Sequence, residues 1–472
     1  MSVCLTDVIV RAGSRTLVDV PELRLHRGQP VTVVGESGSG KSLLAHAVMG
    51  TLAPELSVSG RLEVDGVRHD LADRSNRRQL WGRALALLPQ EPALALNPTM
   101  RVGRQVAEGA PGGRRGRARA AEQRLGELGL GAELRAWPHT LSGGMAQRVA
   151  FAAATVGGAP VLLADEPSTG LDSAARHELT RLLLRHAADG GALFTITHDL
   201  DLARDLGGQV LVMRDAVLVE QGPAEQVLAV PQHAYTRALL AAEPSRWQHS
   251  WSPATAPGEP QEVVLRAERV SVAFGRKQVL TGLDLAVGRA ERLAVSGPSG
   301  SGKSTLGDVL IGVRQPDGGK VVRDPTLAAG QLQKLYQDPG AAFPSRVPLA
   351  AAFTDVVRRH RVDAQRLSPL LEAMRLPDEL LQRRPGQVSG GELQRLSVAR
   401  ALLVQPALVF ADEPTSRLDL ITQEETIRCL VDQLHRTGCA LVLVTHDDAL
   451  ADAVAQRVVN LEGRSATAMA AA

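Results

Sequence analysis

The sequence has few cysteines and few aromatic residues. Its three cysteines, Cys4, Cys429 and Cys439, form no Cys-x-x-Cys pair and are odd in number, which argues against a disulfide framework and against a cysteine zinc site. Aromatic residues make up only 3% of the 472 residues, too few for the stacking platforms on which single-stranded nucleic acid usually lies. These scarcities favour a protein of a reducing compartment whose cores are built from Leu, Val and Ala.

A large excess of one charge and long apolar runs are also missing. Lys and Arg total 53 against 51 Asp and Glu, a net charge of +2 that gives no bulk positive field to gather nucleic acid or anionic lipid. The N-terminus does not have the pattern of a signal peptide, and no run of about 18 apolar residues occurs anywhere in the sequence. We therefore expect a chain that is soluble on its own, with no membrane span and no nucleic-acid partner.

The chain contains a tandem repeat, because four motifs of its first half return in the same order in its second half. Such a repeat predicts two domains of one kind. The four pairs are GESGSGKS (35–42) with GPSGSGKS (297–304), LSGGMAQR (141–148) with VSGGELQR (388–395), VLLADEPS (161–168) with LVFADEPT (408–415), and ITHD (196–199) with VTHD (444–447).

A proline-rich stretch separates the two copies. Residues 244–262 read PSRWQHSWSPATAPGEPQE, with no apolar periodicity, which is typical of an extended linker. The sequence therefore predicts a first domain over residues 1–243, a second domain over 263–463, and a flexible tail over 464–472.

Each half has an apolar strand that runs into a GxxxxGK[ST] motif and then into a helical pattern, the context that a phosphate-binding loop requires. Glycines let backbone N–H groups approach phosphate closely, and the helix N-terminus adds its positive end. The lysine is expected to reach the outer phosphates and the last serine to hold Mg²⁺, so both ATP and Mg²⁺ are predicted cofactors. The candidate residues are Gly35, Glu36, Ser37, Gly38, Ser39, Gly40, Lys41 and Ser42 in the first half and Gly297, Pro298, Ser299, Gly300, Ser301, Gly302, Lys303 and Ser304 in the second.

Two adjacent carboxylates end an apolar strand in each half. Because successive side chains of a strand point to opposite faces, the two members of each pair are expected to have different roles. Asp165 and Asp412 are predicted to hold Mg²⁺ through water, and Glu166 and Glu413 to polarise the attacking water as general bases.

Together these motifs resemble those of the ATP-binding cassette (ABC) ATPases over nearly the whole chain, and LSGG and VSGG resemble the signature motif of that family. The resemblance implies an α/β fold: two P-loop NTPase domains, each a mixed β-sheet core with a helical subdomain, forming an internal pseudo-dimer. It also implies that the signature of one cassette closes over the γ-phosphate held by the other. Ser142, Gly143 and Gly144 would then complete the site at Lys303, and Ser389, Gly390 and Gly391 the site at Lys41. The usual glutamine after this signature is replaced by Met145 and Glu392.

Further residues are assigned by the same resemblance. Gln90 and Gln337 look like the glutamine that contacts Mg²⁺ and couples to the membrane partner. His198 and His446 look like the switch histidine that contacts the γ-phosphate, and they follow the general-base glutamates by 32 and 33 residues. Counting back from the two phosphate loops without gaps sets Phe274 opposite Ala12, so an aromatic residue that stacks on adenine is expected in the second half only.

Three segments resemble one branch of the family more closely. WPHTLSGGMAQRV, LNPTM and PQHAYTRALLAAEP (231–244) are similar to segments of importers that handle peptides, nickel and metal chelates, although Ala234 replaces the proline usual there. The resemblance implies an ATPase subunit lying peripherally on the cytoplasmic face of the inner membrane. Its implied partners are two integral membrane permease subunits and, indirectly, an extracytoplasmic solute-binding protein.

Two other functions stay open on the sequence alone. Tandem cassettes also occur in soluble ATPases that act on the ribosome as translation factors, but those usually join the cassettes by a long charged helical linker. Export rather than import is not disproved. The transported solute is not encoded in a recognisable motif of this chain.

Overall fold

In a computed structural model the chain divides into two compact units, Met1–Ala241 and Ala242–Ala472. Most of the predicted linker and most of the predicted tail lie outside the described residues. Within the described ranges, no helix combines the length and the apolar character needed to cross a membrane. The structure describes residues 2–73, 76–91, 95–247, 262–275, 277–461 and 468–469.

The first unit is built on one sheet of ten strands. Its first strands alternate buried and exposed side chains, whereas its central strands are buried on both faces. The strands are β1 (Ser2–Ala12), β2 (Arg15–His26), β3 (Val31–Val34), β4 (Leu56–Val64), β5 (Val67–Asp70), β6 (Leu85–Leu88), β7 (Val161–Asp165), β8 (Ala192–Thr197), β9 (Gln209–Arg214) and β10 (Val217–Pro223).

The strand order is β5-β4-β1-β2-β10-β9-β3-β8-β7-β6. Pairing is antiparallel from β5 to β2 and parallel from β9 to β6, so the sheet is mixed. The carboxyl ends of β3, β7 and β8 therefore meet at one edge, which is where ligands bind in open α/β sheets.

Helices cover this sheet and fill a second apolar core beside it, formed largely by residues 96–206. The helix over residues 114–127 is strongly basic and mostly exposed, as its Arg-rich sequence predicts. The helices are α1 (Lys41–Met49), α2 (Val102–Gly109), α3 (Arg114–Glu127), α4 (Gly143–Thr155), α5 (Ser173–Ala188), α6 (Leu200–Leu206), α7 (Ala224–Val227) and α8 (Ala234–Ala241).

The second unit divides its strands between two sheets of order β12-β11-β14 and β15-β16-β17-β13-β18-β19. The first sheet is antiparallel, and the second is parallel except for its last strand. The strands are β11 (Val263–Phe274), β12 (Lys277–Gly288), β13 (Arg292–Ser296), β14 (Gly318–Arg323), β15 (Leu332–Leu335), β16 (Leu408–Asp412), β17 (Ala440–Val444), β18 (Arg457–Asn460) and β19 (Ala468–Met469).

The helices of the second unit pack on both sheets and enclose two apolar cores. These mixed sheets and helices confirm the predicted α/β class for both halves. The helices are α9 (Lys303–Ile311), α10 (Leu349–His360), α11 (Leu367–Ala373), α12 (Gly390–Leu402), α13 (Leu420–Thr437) and α14 (Asp448–Val454).

The start of the predicted linker is folded rather than extended. Pro244–Arg246 forms a short 3-10 helix, and Trp247 packs against the core of the second unit. The Trp247 indole N–H donates a hydrogen bond of 3.0 Å to the carbonyl of Ala242, which satisfies the one polar group of the ring. The remaining linker residues, 248–261, are not described.

Candidate nucleotide-binding sites

In both units the glycine-rich loop joins a buried strand to a helix, β3 to α1 and β13 to α9. Lys41 begins α1 and is only 6% exposed, and its Nζ donates hydrogen bonds of 2.8 and 2.7 Å to the carbonyls of Gly35 and Glu36. In the second unit, Lys303 Nζ donates hydrogen bonds of 2.6 and 2.9 Å to the carbonyls of Gly297 and Pro298. The two loops therefore hold their lysines in the same way.

Glycine is required at the residue before each lysine. Gly40 and Gly302 have φ values of 103° and 98°, which side-chain-bearing residues rarely adopt. A Cβ at Gly40 would also lie 2.3 Å from the carbonyl oxygen of Leu17. This backbone directs the first N–H groups of the helix toward one point, as phosphate binding needs.

Two of the predicted magnesium ligands of the first unit, Ser42 and Asp165, are brought together. Ser42 Oγ donates a hydrogen bond of 2.9 Å to Oδ1 of Asp165, the last residue of β7. Burial raises the pKa of the Asp165 carboxyl, the hydrogen bond from Ser42 opposes this, and the charge of Glu166 adds to it. The pair presents a hydroxyl and a carboxylate next to the phosphate-binding loop.

The two general-base candidates share an unusual backbone conformation. Glu166 and Glu413 have φ values of 47° and 46°, in the left-handed region that costs about 1 kcal/mol or more for a residue other than glycine. Their N–H groups donate to the carbonyls of Ile196 and Val444 on the neighbouring strands, at 2.8 and 3.0 Å. Backbone strain of this kind clusters at functional sites, and here it turns each glutamate away from the line of its strand.

His198 contacts Glu166 directly. Its Nδ1 lies 2.8 Å from Oε2 of Glu166, and its backbone N–H donates 3.2 Å to the same oxygen. Burial raises the pKa of Glu166, but the adjacent imidazole lowers it more, so the carboxyl stays ionised. Burial lowers the pKa of His198, but the Glu166 carboxylate raises it more, so the pKa lies above that of an ordinary histidine.

The second unit repeats this contact at a longer distance and adds another partner. His446 Nδ1 lies 3.4 Å from Oε2 of Glu413, and Gln337 Nε2 donates 3.1 Å to the same oxygen. Burial raises the pKa of Glu413, but its interaction with His446 gives a net lowering. Burial lowers the pKa of His446, but its interaction with Glu413 gives a net rise. Gln90 lies just beyond β6, and among the described residues it makes no such bond to Glu166.

A lysine that belongs to none of the sequence motifs, Lys334, lies beside Asp412. The Nζ of Lys334 is 3.5 Å from Oδ2 of Asp412 and 2.8 Å from Oδ1 of Asp308, and its side chain is 9% exposed. Lys334 pairs in register with Phe410, and Leu87 holds the corresponding place beside β7 in the first unit. The second site therefore has a lysine beside its strand-end aspartate at a position where the first unit has Leu87.

The signature serines are helix N-caps. Ser142 Oγ accepts a hydrogen bond of 3.3 Å from the N–H of Met145 at the start of α4. Ser389 Oγ accepts a hydrogen bond of 3.2 Å from the N–H of Glu392. The carboxylate of Glu392 in turn accepts hydrogen bonds of 2.8 Å from the N–H and from the hydroxyl of Ser389. The second signature therefore has a capping box. The carboxylate of Glu392 remains ionised, because these bonds lower its pKa more than burial raises it.

The signature glycines differ in the space around them. A Cβ at Gly143 or Gly390 would meet no atom within 4 Å, which leaves their backbone open to a ligand. A Cβ at Gly144 would lie 3.2 Å from Ala175, and one at Gly391 would lie 2.3 Å from Thr422. The second glycine is thus fixed by packing inside its own unit. The closure of each signature over the other unit's lysine stays a prediction.

Phe274, the predicted adenine-stacking residue, ends β11 and is 51% exposed. The guanidinium of Arg314 lies over one face of the ring, 4.2 Å from its centroid. Ala12 ends β1 and pairs with Arg15 as Phe274 pairs with Lys277, so the two positions correspond in the two hairpins. Stacking of a base on Phe274 stays a prediction.

Comparisons with known proteins agree with this geometry. The family model described as ABC transporter matches residues 18–169 and 280–416. The chain is 34% identical to the glutathione import ATP-binding protein GsiA of Salmonella typhi and 33% identical to that of Escherichia coli (strain K12), in each case over 92% of this chain and 80% of the relative.

Solved structures also match over nearly the full length. An archaeal ribosome recycling factor, aABCE1, solved with the ribosomal stalk protein aP1, has a TM-score of 0.67 and 21% identity, covering 98% of this chain and 89% of that one. An RNase-L Inhibitor gives the same TM-score at 20% identity, covering 98% and 90%. At these identities the likeness shows the fold alone.

Proposed function

The chain belongs to the ABC transporter family, and on that premise we propose that it is the ATP-hydrolysing subunit of an importer for peptide-type solutes. ATP hydrolysis is the activity of the family. The observation that carries the proposal is that both units keep the lysine, the strand-end Asp-Glu pair, the histidine and the signature motif. Tandem cassettes with a decayed site have lost one or more of these groups.

The mechanism follows from the positions of the side chains. Lys41 and Lys303 and the loop N–H groups would bind the outer phosphates and balance their charge. Glu166 and Glu413, held ionised beside a histidine, would accept a proton from the attacking water, and the protonated imidazole of His198 or His446 would hold the phosphate oxygens.

Magnesium fits the donor set of the first unit, since hydroxyl and carboxylate oxygens are the ligands that this ion prefers. Mg²⁺ held there would supply positive charge that offsets the negative charge developing on the phosphates. Ser42 and Asp165 would hold it in the first unit, and Ser304, Gln337 and Asp412 in the second. Gln90 is the third ligand that the family resemblance implies for the first unit. Lys334 competes with the ion for the carboxylate of Asp412.

Replacing Lys334 with leucine, the residue at the matching position 87, should therefore strengthen Mg²⁺ binding at the second site. We expect the Mg²⁺ concentration for half-maximal binding of a fluorescent ATP analogue to fall roughly threefold to tenfold, as for removal of a like charge worth on the order of 1 kcal/mol. The measurement uses a Lys41→Ala background so that the second site dominates.

The matched control is Lys320→Leu, which removes an exposed lysine paired with Glu268 at 3.2 Å. This control should leave the Mg²⁺ dependence unchanged. An unchanged midpoint in Lys334→Leu as well would show that the lysine does not oppose the ion.

Two composite sites are part of the proposal. The N-terminus of α12, with Ser389, Gly390 and the N–H of Gly391, would close over the phosphates held by Lys41, and Ser142, Gly143 and Gly144 over those held by Lys303. The open surroundings of Gly143 and Gly390 support this arrangement. Closure of two such sites would be the movement that is transmitted to the membrane.

Import of peptide-type solutes is supported by the relatives. The relatives in Salmonella and Escherichia coli are named for glutathione import, and glutathione is a tripeptide. Nickel and metal chelates are equally open on the sequence, but the names of these relatives favour a peptide. The implied partners are two membrane permease subunits and a solute-binding protein outside the membrane, with this chain at the cytoplasmic face of the inner membrane.

Uptake in cells tests this function. Deletion of the gene should abolish uptake of labelled glutathione or of one of a panel of di- and tripeptides, and the wild-type chain should restore it. The Lys41→Ala/Lys303→Ala variant, expressed at the same level, should not. Normal uptake of the whole panel, together with accumulation of unrecycled ribosomes, would instead favour a translation factor.

A further inference from the structure

We propose that Tyr235 is a positioning residue for the first phosphate-binding loop, and that the second loop achieves the same with a proline. The backbone N–H of Glu36, the second residue of the first loop, donates a hydrogen bond of 2.9 Å to the hydroxyl oxygen of Tyr235. The two residues are 199 positions apart in sequence, and Tyr235 is only 3% exposed. A buried hydroxyl is thus aimed at the backbone of the loop.

The segment that carries Tyr235 is fixed to the same sheet as the loop. The carboxylate of Glu220 in β10 accepts hydrogen bonds of 2.7 and 3.0 Å from the N–H groups of Gln232 and His233, just before α8. The guanidinium of Arg214, the last residue of β9, lies over the Tyr235 ring, 5.0 Å from its centroid. Because β9 pairs with β3, which leads into the loop, Tyr235 has a rigid support.

The contact bears directly on the lysine. The N–H of Glu36 is held by Tyr235, and its carbonyl accepts 2.7 Å from Lys41 Nζ and 3.2 Å from the N–H of Ser39. A shift of this residue would therefore move both the acceptor of the lysine and the turn of the loop. Tyr235 acts on ATP through the loop and does not itself belong to the phosphate-binding residues.

The second unit offers an internal comparison. Its loop has the same bonds, with Lys303 Nζ and the N–H of Ser301 donating 2.9 and 3.1 Å to the carbonyl of Pro298. Pro298 stands where the first loop has Glu36, and proline has no N–H to be held while its ring fixes φ near −65°. The donor that Tyr235 satisfies in the first unit does not exist in the second.

This inference gives a task to residues 231–241, which resemble an importer-branch segment and occur only after the first cassette. The segment would set the geometry of the first loop, so that the two sites of one chain are held by different means. The inference concerns ATP binding alone, which can be measured without membrane subunits, so a failure of the import proposal would not decide it.

The test is Tyr235→Phe in the full chain, in a Lys303→Ala background in which ATP binding reports the first site. Loss of one hydrogen bond to the partly buried N–H of Glu36 should weaken ATP binding and raise KM roughly threefold to tenfold, with a much smaller change in kcat. The control is Tyr336→Phe, which alters the chain's other tyrosine, and this variant should bind ATP as the parent does.

A second variant, Glu36→Pro, copies the second loop into the first and removes the donor. Adding Tyr235→Phe to Glu36→Pro should then leave ATP affinity unchanged within about twofold. Two results would overturn the proposal: ATP affinity in Tyr235→Phe equal to that of the parent, even with a lowered Tm, or an equal loss from Tyr235→Phe with and without Glu36→Pro. The first result would mean that Tyr235 only stabilises the fold.

Discussion

Hydrolysis of ATP should fall by roughly two to three orders of magnitude when Glu166 and Glu413 are both replaced with glutamine, as for loss of a positioned base. Each glutamate is held in a left-handed backbone conformation within reach of a histidine Nδ1, at 2.8 Å in the first unit and 3.4 Å in the second. Glutamine keeps the size of the side chain but cannot accept the proton of the attacking water. ATP should still bind.

The single variants decide whether both sites turn over. Glu166→Gln or Glu413→Gln alone should each reduce the total steady-state rate of phosphate release. The control is Glu178→Gln on the surface of α5, where the glutamate pairs with Arg181 in a helical i,i+3 pair. If either single variant keeps the full rate, hydrolysis at two equivalent sites is wrong.

The second large effect concerns the signature motifs: a substitution in the signature of one unit should impair hydrolysis at the phosphate-binding loop of the other unit. With Lys303→Ala, the remaining hydrolysis should depend on Ser389 and not on Ser142, because the signature of the second unit is proposed to close over the phosphates at Lys41. Ser389→Arg should lower this residual rate by about 100-fold or more, comparable to loss of a group that stabilises transition-state charge. Ser142→Arg should change it by less than about threefold.

The reciprocal background gives the matching control. With Lys41→Ala, the sensitive residue should be Ser142 and the tolerant one Ser389. If each arginine instead inactivates the site of its own unit, the composite arrangement is contradicted. Binding of a fluorescent ATP analogue gives a second readout in both backgrounds, because the signature also contributes to affinity.

Sequence motifs predicted the local structure around most candidate residues, because that structure depends on residues that are close in the chain. The phosphate loop, its lysine and the helix that follows are contiguous in sequence, and the structure has them as expected. The position of Asp165 and Glu166 at the end of a strand could be predicted because they directly follow the apolar residues 161–164. The α/β class was implied by the resemblance of these motifs to those of the ABC ATPases.

Features that depend on register or on distant contacts could not be predicted in this way. Lys334 reaches Asp412 only because β15 and β16 pair in one particular register, which the sequence does not specify. Tyr235 and Glu36 meet only after the whole sheet of the first unit has formed. By contrast, the capping box of Ser389 and Glu392 could have been predicted from its Ser-x-x-Glu spacing. From the sequence, Glu392 was noted only because it replaces the glutamine usual in the family.

The asymmetry between the two sites also emerges from the structure rather than from the motifs. Both halves have the four repeated motifs, yet the first site has Tyr235 behind its loop and the second has Lys334 beside its aspartate. Lys334 predicts that the two sites differ in Mg²⁺ affinity, whereas Tyr235 and Pro298 would hold the two loops by different means. These differences are accessible in the Lys41→Ala and Lys303→Ala backgrounds, each of which leaves one site intact.

Coupling of hydrolysis to a membrane partner is the most direct test of the proposed function. The chain would be assembled with the two membrane subunits of its transporter in lipid nanodiscs, and ATP hydrolysis measured with the solute-binding protein either empty or loaded with peptide. We expect the loaded protein to stimulate hydrolysis severalfold, and the Lys41→Ala/Lys303→Ala variant to show no stimulation. Hydrolysis that is indifferent to the membrane subunits and to the loaded binding protein, but is stimulated by ribosomes, would contradict the importer function.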